Sequence, residues 1–210
     1  MKEIINKIKR DVGKYFSGSC PSHDWSHVDR VYDLAQKIAE KEKANLFIVK
    51  LAALLHDIGR KKESEFNGNA DHAKISAEIA KKILKKYRIN GDITKQVLHC
   101  VLSHRFRKGN IPKTIEAKVL FDADKLDCIG AIGVARAYSC AGNKGLKLYS
   151  DKDFLGTGYE KEHSPVTEFL YKLSKVKNKM QTKTGKKIAL ERHKYMENYF
   201  YRLNKEISKT

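Results

Sequence analysis

The sequence predicts an all-α protein built as a single-domain helical bundle. Apolar residues recur at the spacing of an α-helix through most of the 210-residue chain, and no segment shows convincing strand-like alternation. No linker rich in proline, glycine or serine divides the chain. We therefore expect one domain over residues 1–210, with a metal-site core at about residues 20–140 and C-terminal helices at residues 164–208 packed on it.

Charge is the second bulk property that bears on function. Lysine and arginine outnumber aspartate and glutamate by 43 to 25, which gives a formal net charge of +18. This balance predicts attraction to phosphate-bearing partners, whether nucleotides, nucleic acid or anionic lipid. A lysine-rich solvated surface is an equally good explanation, because many of the lysines fall in helical segments with acidic residues interspersed.

Cysteine usage and hydropathy bear on the compartment. The four cysteines form no Cys-x-x-Cys pair, which is typical of the reduced thiols of an intracellular protein. The N-terminal residues have no apolar signal core, and no segment reaches the roughly 18 apolar residues of a membrane span. We expect a cytoplasmic protein with no membrane partner, and the sequence leaves the oligomeric state open.

The first two predicted helices are separated by a break at residues 18–22. Residues 2–17 carry an apolar stripe of helical period. Asp24 or Ser26 is suited to cap the next helix. Helical spacing then places His27 on the apolar face of that helix, so its imidazole is expected to point inward.

The third helix ends at the feature around which the chain is organised. Asn45 is suited to cap the apolar run at residues 46–55, which leads directly into His56-Asp57. Burying these two polar side chains is unfavourable unless something compensates them. We expect Gly59 to end the helix in the left-handed conformation. A divalent cation bound here would relieve the cost of both side chains.

Two more helices each contribute one inward-facing histidine. Residues 60–70 are polar and contain glycine, which predicts a loop. A helix that starts near Asp71 places His72 on its inner face. A helix that starts near Asp92 places His104 in line with its apolar residues.

A sixth helix is predicted over residues 115–139, with three aspartates inside an otherwise apolar stretch. Asp124 and Asp127 are three residues apart and share one face. Asp122 points about 200° away from Asp124. The helix therefore directs at most one of these two neighbouring carboxylates toward a given centre.

The C-terminal part of the chain predicts two further helices. Residues 140–163 contain four glycines and are expected to be irregular. Ser164, with Pro165 in the first helical turn, starts the seventh helix. The last helix is expected over about residues 184–205.

Helical phase thus predicts an inward-facing polar set drawn from five helices. Its members are His27, His56, Asp57, His72, His104 and Asp124. Mixed imidazole and carboxylate groups suit manganese, iron, cobalt, nickel or zinc. A carboxylate-rich, partly open site suits manganese or magnesium with a phosphorylated substrate. One inward histidine is usually a hydrogen-bonded core residue, but six such side chains together are harder to explain in that way.

The order of these residues resembles the HD superfamily of metal-dependent phosphohydrolases, which is named for its His-Asp pair and built from helices. HDWSHVDR at residues 23–30 resembles the family's first-histidine helix. LLHDIG at residues 54–59 resembles its doublet, and FDADKLD at residues 121–127 resembles the helix of its last ligand. Residues 130–136 and 184–192 resemble one bacterial subfamily of HD hydrolases. The resemblance therefore covers nearly the whole chain.

This resemblance implies a divalent metal held by His27, His56, Asp57 and Asp124. Manganese or magnesium is expected first, with iron, cobalt, nickel and zinc as alternatives. Asp124 matches the family's Ala-Asp-x-Leu pattern, and Asp122 is the alternative fourth ligand.

The resemblance also implies catalytic roles for Asp57, His72 and His104. Asp57 or Asp124 would orient the attacking water. The two histidines would bind a second metal, contact phosphate or act as a general acid, with a hydrogen-bonded pocket histidine as the alternative. Arg60 and Lys125 are candidates for binding substrate phosphates, with an ordinary surface charge as the alternative.

The implied activity is metal-assisted hydrolysis of a phosphoester or phosphoanhydride, with a nucleotide as the expected partner. The most similar subfamily includes members that release pyrophosphate from nucleoside triphosphates. Asp127 is a candidate for a hydrogen bond to a ligand histidine, or for pairing with a nearby lysine. Two other classes compete: a non-catalytic basic module that binds RNA or a nucleotide, and a di-iron oxygenase. The complete set of ligand types argues against the first.

Overall fold

A computed structural model describes residues 1–18, 24–65, 71–105, 110–150 and 163–208 of the chain. Within these ranges the structure is helical and contains no strand, so the predicted all-α class is confirmed. The helices are α1 (Lys2–Gly13), α2 (Trp25–Glu42), α3 (Leu46–Leu55), α4 (Arg60–Glu65), α5 (His72–Lys86), α6 (Gly91–Ser103), α7 (Ile115–Leu126), α8 (Gly130–Asn143), α9 (Pro165–Tyr171) and α10 (Lys183–Ile207). Short 3₁₀ segments lie at Lys14–Phe16 and Leu173–Lys179.

The chain divides into two compact units, residues 1–124 and residues 125–210. The expectation of one domain over residues 1–210 stays a prediction. None of the helices in the described ranges combines the length and the apolarity that crossing a bilayer requires.

Helix α3 is the central element of the first unit. Seven of its ten residues are buried, and it packs against α1, α2, α5 and α6. A helix that is apolar on all sides is stable only when neighbours surround it. Leu51, Leu54 and Leu55 are fully buried, and each contributes about 2 kcal/mol through removal from water. The His56-Asp57 pair that follows α3 therefore lies inside the unit rather than at its surface.

The predicted caps position the helices that carry the polar set. The Asp24 side chain accepts a hydrogen bond from the backbone N–H of His27 at 3.1 Å, so Asp24 rather than Ser26 caps α2. The Asn45 side chain accepts from the first turn of α3, and Asp71 accepts from the first turn of α5. Each cap satisfies backbone donors that have no partner within the helix.

Two predicted boundaries are wrong. Residues 60–65 form α4 instead of a loop, and residues 66–70 lie outside the described ranges. The single helix expected over residues 115–139 is two helices, α7 and α8, because Gly130 adopts a φ of +80° at the start of α8. A left-handed residue cannot continue a right-handed helix.

The second unit contains α8, α9, the 3₁₀ segment at residues 173–179 and α10. Ser164 and Thr167 form a capping box at the start of α9, with Pro165 as its first residue, as predicted. The aromatic rings of Phe169 and Phe200 stack with their centroids 4.4 Å apart, which joins α9 to α10. Helix α8 reaches Asn143, so part of the region expected to be irregular is helical, and residues 151–162 lie outside the described ranges.

Candidate metal centre

The first unit brings together all six members of the predicted polar set. His27 lies on α2, His56 and Asp57 directly follow α3, His72 begins α5, His104 directly follows α6, and Asp124 lies on α7. Each residue is at most 7% exposed to solvent. Their atoms fall into two groups of three that could each hold a metal ion.

The first group contains His27, His56 and Asp124, which we call site A. The Nε2 atoms of the two histidines lie 3.4 Å apart. Oδ1 of Asp124 lies 3.6 Å from Nε2 of His27 and 3.9 Å from Nε2 of His56. Three ligand atoms from three helices therefore surround one point. Asp122 is also buried on α7 but does not belong to this group.

The second group contains Asp57, His72 and His104, which we call site B. Oδ1 of Asp57 lies 3.4 Å from Nε2 of each histidine, and the two Nε2 atoms lie 3.2 Å apart. The imidazole rings of His56 and His104 meet edge to face, with centroids 5.2 Å apart, so sites A and B are neighbours.

Asp57 faces both sites with different oxygen atoms. Oδ2 lies 3.7 Å from Nε2 of His27 and 3.8 Å from Nε2 of His56, on the side of site A. Oδ1 lies on the side of site B and is buried without a hydrogen-bond partner. A buried carboxylate oxygen without a partner is unfavourable by several kcal/mol unless a cation neutralises it. A carboxylate in this position is suited to bridge two cations.

The histidine tautomers test whether these residues fit a metal. Nδ1 of His56 donates to the carbonyl oxygen of Ala53 at 2.8 Å, and Nδ1 of His104 donates to the carbonyl oxygen of Val101 at 2.6 Å. With the proton on Nδ1, the Nε2 atom of each ring presents a lone pair to the site. These lone pairs face carboxylate oxygens, an arrangement that repels without a cation between them. The residues therefore fit a divalent metal.

Comparison with known proteins decides the family. The profile of the HD domain matches residues 24–129. Protein YpgQ of Bacillus subtilis is 37% identical over 213 aligned positions, which cover 99% of this chain and 96% of YpgQ. This chain belongs to the HD domain family. The family resemblance that the sequence motifs indicated is thus confirmed.

Solved structures of related HD proteins share its fold. Bacillus subtilis YpgQ in complex with ADP has a TM-score of 0.78 at 36% identity, covering 98% of this chain and 95% of that chain. An HD-superfamily hydrolase from Bacillus thuringiensis has a TM-score of 0.77 at 31% identity, covering 98% and 97%. Ribonuclease Y from Chloroflexus aurantiacus is 34% identical over 44% of this chain but only 16% of its own length.

Electrostatics keep the ligand atoms of this HD protein in the forms that bind metal. Burial lowers the pKa of His56 and of His72 to about 4, so both rings are neutral at pH 7. Burial would raise the pKa of Asp57, but Arg60 and the neighbouring histidines outweigh it and hold that pKa well below its usual range. Neutral imidazoles and an ionised carboxylate are what a divalent cation requires.

Arg60 lies against the carboxylate of Asp57. Its Nε donates to Oδ2 of Asp57 at 3.0 Å, and its Nη1 donates to Oε2 of Glu63 at 3.2 Å. The Arg60 side chain is 28% exposed, so it reaches solvent while holding Asp57. Its predicted role in binding substrate phosphate stays a prediction.

Glu63 is a residue of the site that the sequence analysis missed. Its Oε1 lies 3.1 Å from Nδ1 of His72 and accepts a hydrogen bond from Arg105 at 3.0 Å. A carboxylate on the outer nitrogen of a ligand histidine fixes the ring and raises its basicity. Had residues 60–65 been predicted as a helix, Glu63 would have fallen one turn after Arg60 on the same face.

The remaining predicted residues lie on the other side of the boundary between the units. Lys125 is a half-buried residue of α7. The carboxylate of Asp127 pairs with Arg136 at 2.8 Å, a partner that the sequence analysis did not consider. The roles expected of Lys125 in binding phosphate and of Asp127 in holding a ligand histidine stay predictions.

The prediction that Gly59 adopts the left-handed conformation is wrong. The φ angle of Gly59 is not positive, unlike that of Gly130. The reason for glycine here is the close approach of α5. A Cβ at position 59 would lie 2.7 Å from the backbone nitrogen of Ser76 and 3.0 Å from the carbonyl oxygen of His72. The Gly59 N–H also donates to Oγ of Ser76 at 2.9 Å. The contact fixes the start of α5, and with it His72, against the His-Asp doublet.

Replacing Glu63 by glutamine is expected to weaken metal binding at site B by about 10- to 100-fold, because His72 loses its charged partner. Calorimetric titration of the metal-stripped protein with Mn²⁺ would measure the loss. Glu78→Gln on exposed α5 surface is the matched control and should bind as the wild type does. Unchanged affinity in Glu63→Gln would show that Glu63 does not position His72.

The metal-free protein is expected to lose stability as the pH falls from 6.5 to about 4.5. Below pH 6.5 the unfolded chain protonates His56 and His72, whereas the folded chain resists protonation until about pH 4. The unfolded state therefore binds more protons, and each histidine lowers the free energy of unfolding by up to about 1.4 kcal/mol per pH unit.

Urea unfolding in the presence of a chelator measures this effect. Asp57 and Glu63 have lowered folded pKa values, so their stabilisation is lost only below their ordinary values of 3.8 and 4.5. The window above pH 4.5 therefore reports the histidines. A free energy of unfolding that is constant across this window would contradict the prediction.

Proposed function

We propose that this HD protein is a divalent-metal-dependent phosphohydrolase that cleaves a phosphoanhydride or phosphoester bond in a nucleotide. One observation carries the proposal: a buried carboxylate, Asp57, presents one oxygen to each of two histidine groups, and the oxygen at site B has no hydrogen-bond partner. Paired metal sites of this kind suit phosphoryl transfer, in which charge develops on both the attacking and the leaving oxygen.

His27, His56 and Asp124 would hold one ion, and His72 and His104 would hold a second, with Asp57 between them. Four imidazole nitrogens favour manganese or another borderline metal over magnesium, which prefers oxygen ligands. When bound, the metal supplies an acidified water and a positive charge beside the phosphoryl oxygens. The chain's own residues hold these ligands in place and exclude bulk water from them.

We assign His72 and His104 to a second metal and not to general acid catalysis. Burial lowers the pKa of His72 to about 4. At neutral pH the ring is therefore uncharged, with a proton on only one of its two nitrogens, and has no second proton to donate. A general acid is most effective when its pKa lies near the working pH. Arg60 and Arg105, which are 28% and 24% exposed at the rim of the polar set, are the cations placed to attract substrate phosphates.

A nucleotide is the substrate class that the comparisons support. The similar protein YpgQ has been crystallised with ADP. The partial likeness to ribonuclease Y adds RNA as a second substrate to test. We place the activity in the cytoplasm, as the cysteine pattern suggests.

Product analysis tests the proposal. The protein is stripped of metal, reloaded with Mn²⁺, and incubated with nucleoside triphosphates, cyclic nucleotides and short RNA. We expect phosphate or pyrophosphate release that depends on metal and is abolished in Asp124→Asn. Asp122 is another buried carboxylate of the same helix, so Asp122→Asn is the control and should retain most of the activity.

The control also tests the choice of ligand. A greater loss in Asp122→Asn than in Asp124→Asn would move the fourth ligand to Asp122. Hydrolysis by the metal-free protein, or no hydrolysis of any of these substrates, would overturn the proposed function. Iron bound without phosphate release would favour an oxygenase.

A further inference from the structure

The 3₁₀ segment at residues 173–179 and the beginning of α10 carry a run of lysines. Residues 169–190 contain seven lysines and no aspartate, glutamate or arginine. These seven residues, which we call the lysine segment, are Lys172, Lys175, Lys177, Lys179, Lys183, Lys186 and Lys187. Six of them are exposed and Lys177 is half-buried. The segment thus presents a concentrated positive surface within the second unit.

Most of this charge is unpaired. Lys172 pairs with Glu168, but no other member of the lysine segment forms an ion pair with any residue that the structure describes. Lysines elsewhere do find partners, as Lys7 does with Glu3 and Lys86 does with Asp11. What distinguishes this surface is that residues 169–190 contain no acidic residue, so the explanation by interspersed acidic residues fails here.

The charge also opposes the stability of α10. The first turn of this 25-residue helix contains no acidic residue, while Lys183, Lys186 and Lys187 lie in its first two turns. The positive end of the helix dipole repels cations, typically by about 0.3–1 kcal/mol for each charge. Folding alone therefore does not account for lysines at these positions.

Three apolar residues in the middle of this stretch are turned away from solvent. Leu173, Val176 and Met180 are at most 6% exposed. Leu170 and Leu190, near the two ends of the stretch, are 38% and 61% exposed, but scattered apolar residues of this kind are ordinary on protein surfaces. A helix that binds a bilayer needs a broad apolar face toward the lipid. Between residues 172 and 187 the exposed side chains are lysines, Asn178 and Gln181, so a membrane is a poor partner for this surface.

We propose that the lysine segment binds the phosphate backbone of a single-stranded nucleic acid without regard to base sequence. Protein–protein interfaces are enriched in arginine and aromatic residues and depleted in lysine, which is the opposite of this composition. Flexible lysine ammonium groups act as point charges that neutralise phosphates and release counterions. None of the seven lysines belongs to the residues of sites A and B, so the proposal stands whether or not the proposed hydrolysis is correct.

Salt-dependent binding tests the proposal. Fluorescence anisotropy measures the binding of a labelled oligouridylate of about 30 nucleotides across roughly 50–300 mM salt. Wild type is compared with a variant in which glutamine replaces four lysines, Lys175, Lys179, Lys183 and Lys187. The variant is expected to bind at least about tenfold more weakly at low salt. A plot of the logarithm of the association constant against the logarithm of the salt concentration should also be shallower by about 3, because each of four lost phosphate contacts contributes about 0.7 to the slope.

The control removes the same charge elsewhere. Lys41, Lys81, Lys82 and Lys85 are exposed lysines of the first unit, and their fourfold change to glutamine should alter affinity by less than about threefold. Circular dichroism and thermal unfolding verify that both variants are folded. Equal losses in both variants, or no binding by wild type, would overturn the proposal. Binding to phosphatidylserine vesicles that depends on these lysines, with RNA binding unaffected, would also overturn it.

Discussion

Asp57→Asn is expected to remove both metal ions and to reduce kcat/KM by more than about 100-fold. Loss of a residue that only hydrogen-bonds to a metal ligand typically costs about 10- to 100-fold, and Asp57 is expected to bind the metal itself. Asp57 is the residue whose oxygens lie within 3.4 Å of both histidines of site B and within 3.8 Å of both histidines of site A. An amide has no negative charge to hold two cations together. His104→Gln, by contrast, is expected to lose only the ion at site B.

Metal content by mass spectrometry, measured with activity, separates these outcomes. Glu116→Gln is a suitable control, because Glu116 is a buried carboxylate that accepts a hydrogen bond from the Asn45 N–H and is not part of either metal group. It should change stability without changing metal content. If Asp57→Asn kept one full equivalent of metal, the carboxylate would not bridge the two sites.

Gly59→Ala is expected to destabilise the protein by about 3 kcal/mol, because the new methyl group overlaps the backbone of α5. For a chain of this size that corresponds to a fall in Tm of roughly 6–12 °C. Displacing α5 also moves His72, so Mn²⁺ binding at site B should weaken in the same variant. Thermal unfolding and metal titration measure the two effects.

Gly142→Ala is the matched control. Gly142 lies in α8, and a Cβ there meets no atom within 4 Å. Since alanine favours helix more than glycine does, this variant should be as stable as wild type or more stable by up to about 1 kcal/mol. Equal behaviour of the two variants would show that the approach of α5 to Gly59 tolerates a methyl group.

Helical phase predicted which side chains face inward, because the 3.6-residue period depends only on local sequence. His27 and His72 lie on apolar stripes, and their helices begin at the expected caps, Asp24 and Asp71. Phase does not give the distance along a helix or the rotation between helices. The sequence therefore could not divide the polar set into sites A and B, a division that depends on which oxygen of Asp57 meets which histidines.

The features that the sequence missed are tertiary. Helix α4 has no apolar stripe, and the ion pairs of Arg60 with Asp57 and Glu63 accompany its formation instead. Gly59 was expected to be needed for its φ angle, but the backbone that approaches it is 17 residues away in sequence, at Ser76. Gly130 lies within an apolar helical pattern, so its positive φ had no local signal.

The hydrogen bonds of the inner histidines bear on how this metal centre can change during evolution. The rings of His56 and His104 are each oriented by the carbonyl three residues earlier, a group that no side-chain substitution removes. The ring of His72 is oriented by Glu63, whose carboxylate accepts a hydrogen bond from Arg105, and single nucleotide changes can replace either residue. Under the proposed function, site B is therefore the adjustable half of the centre, because changes at Glu63 would alter His72 and its metal preference while His56 and His104 keep their tautomers.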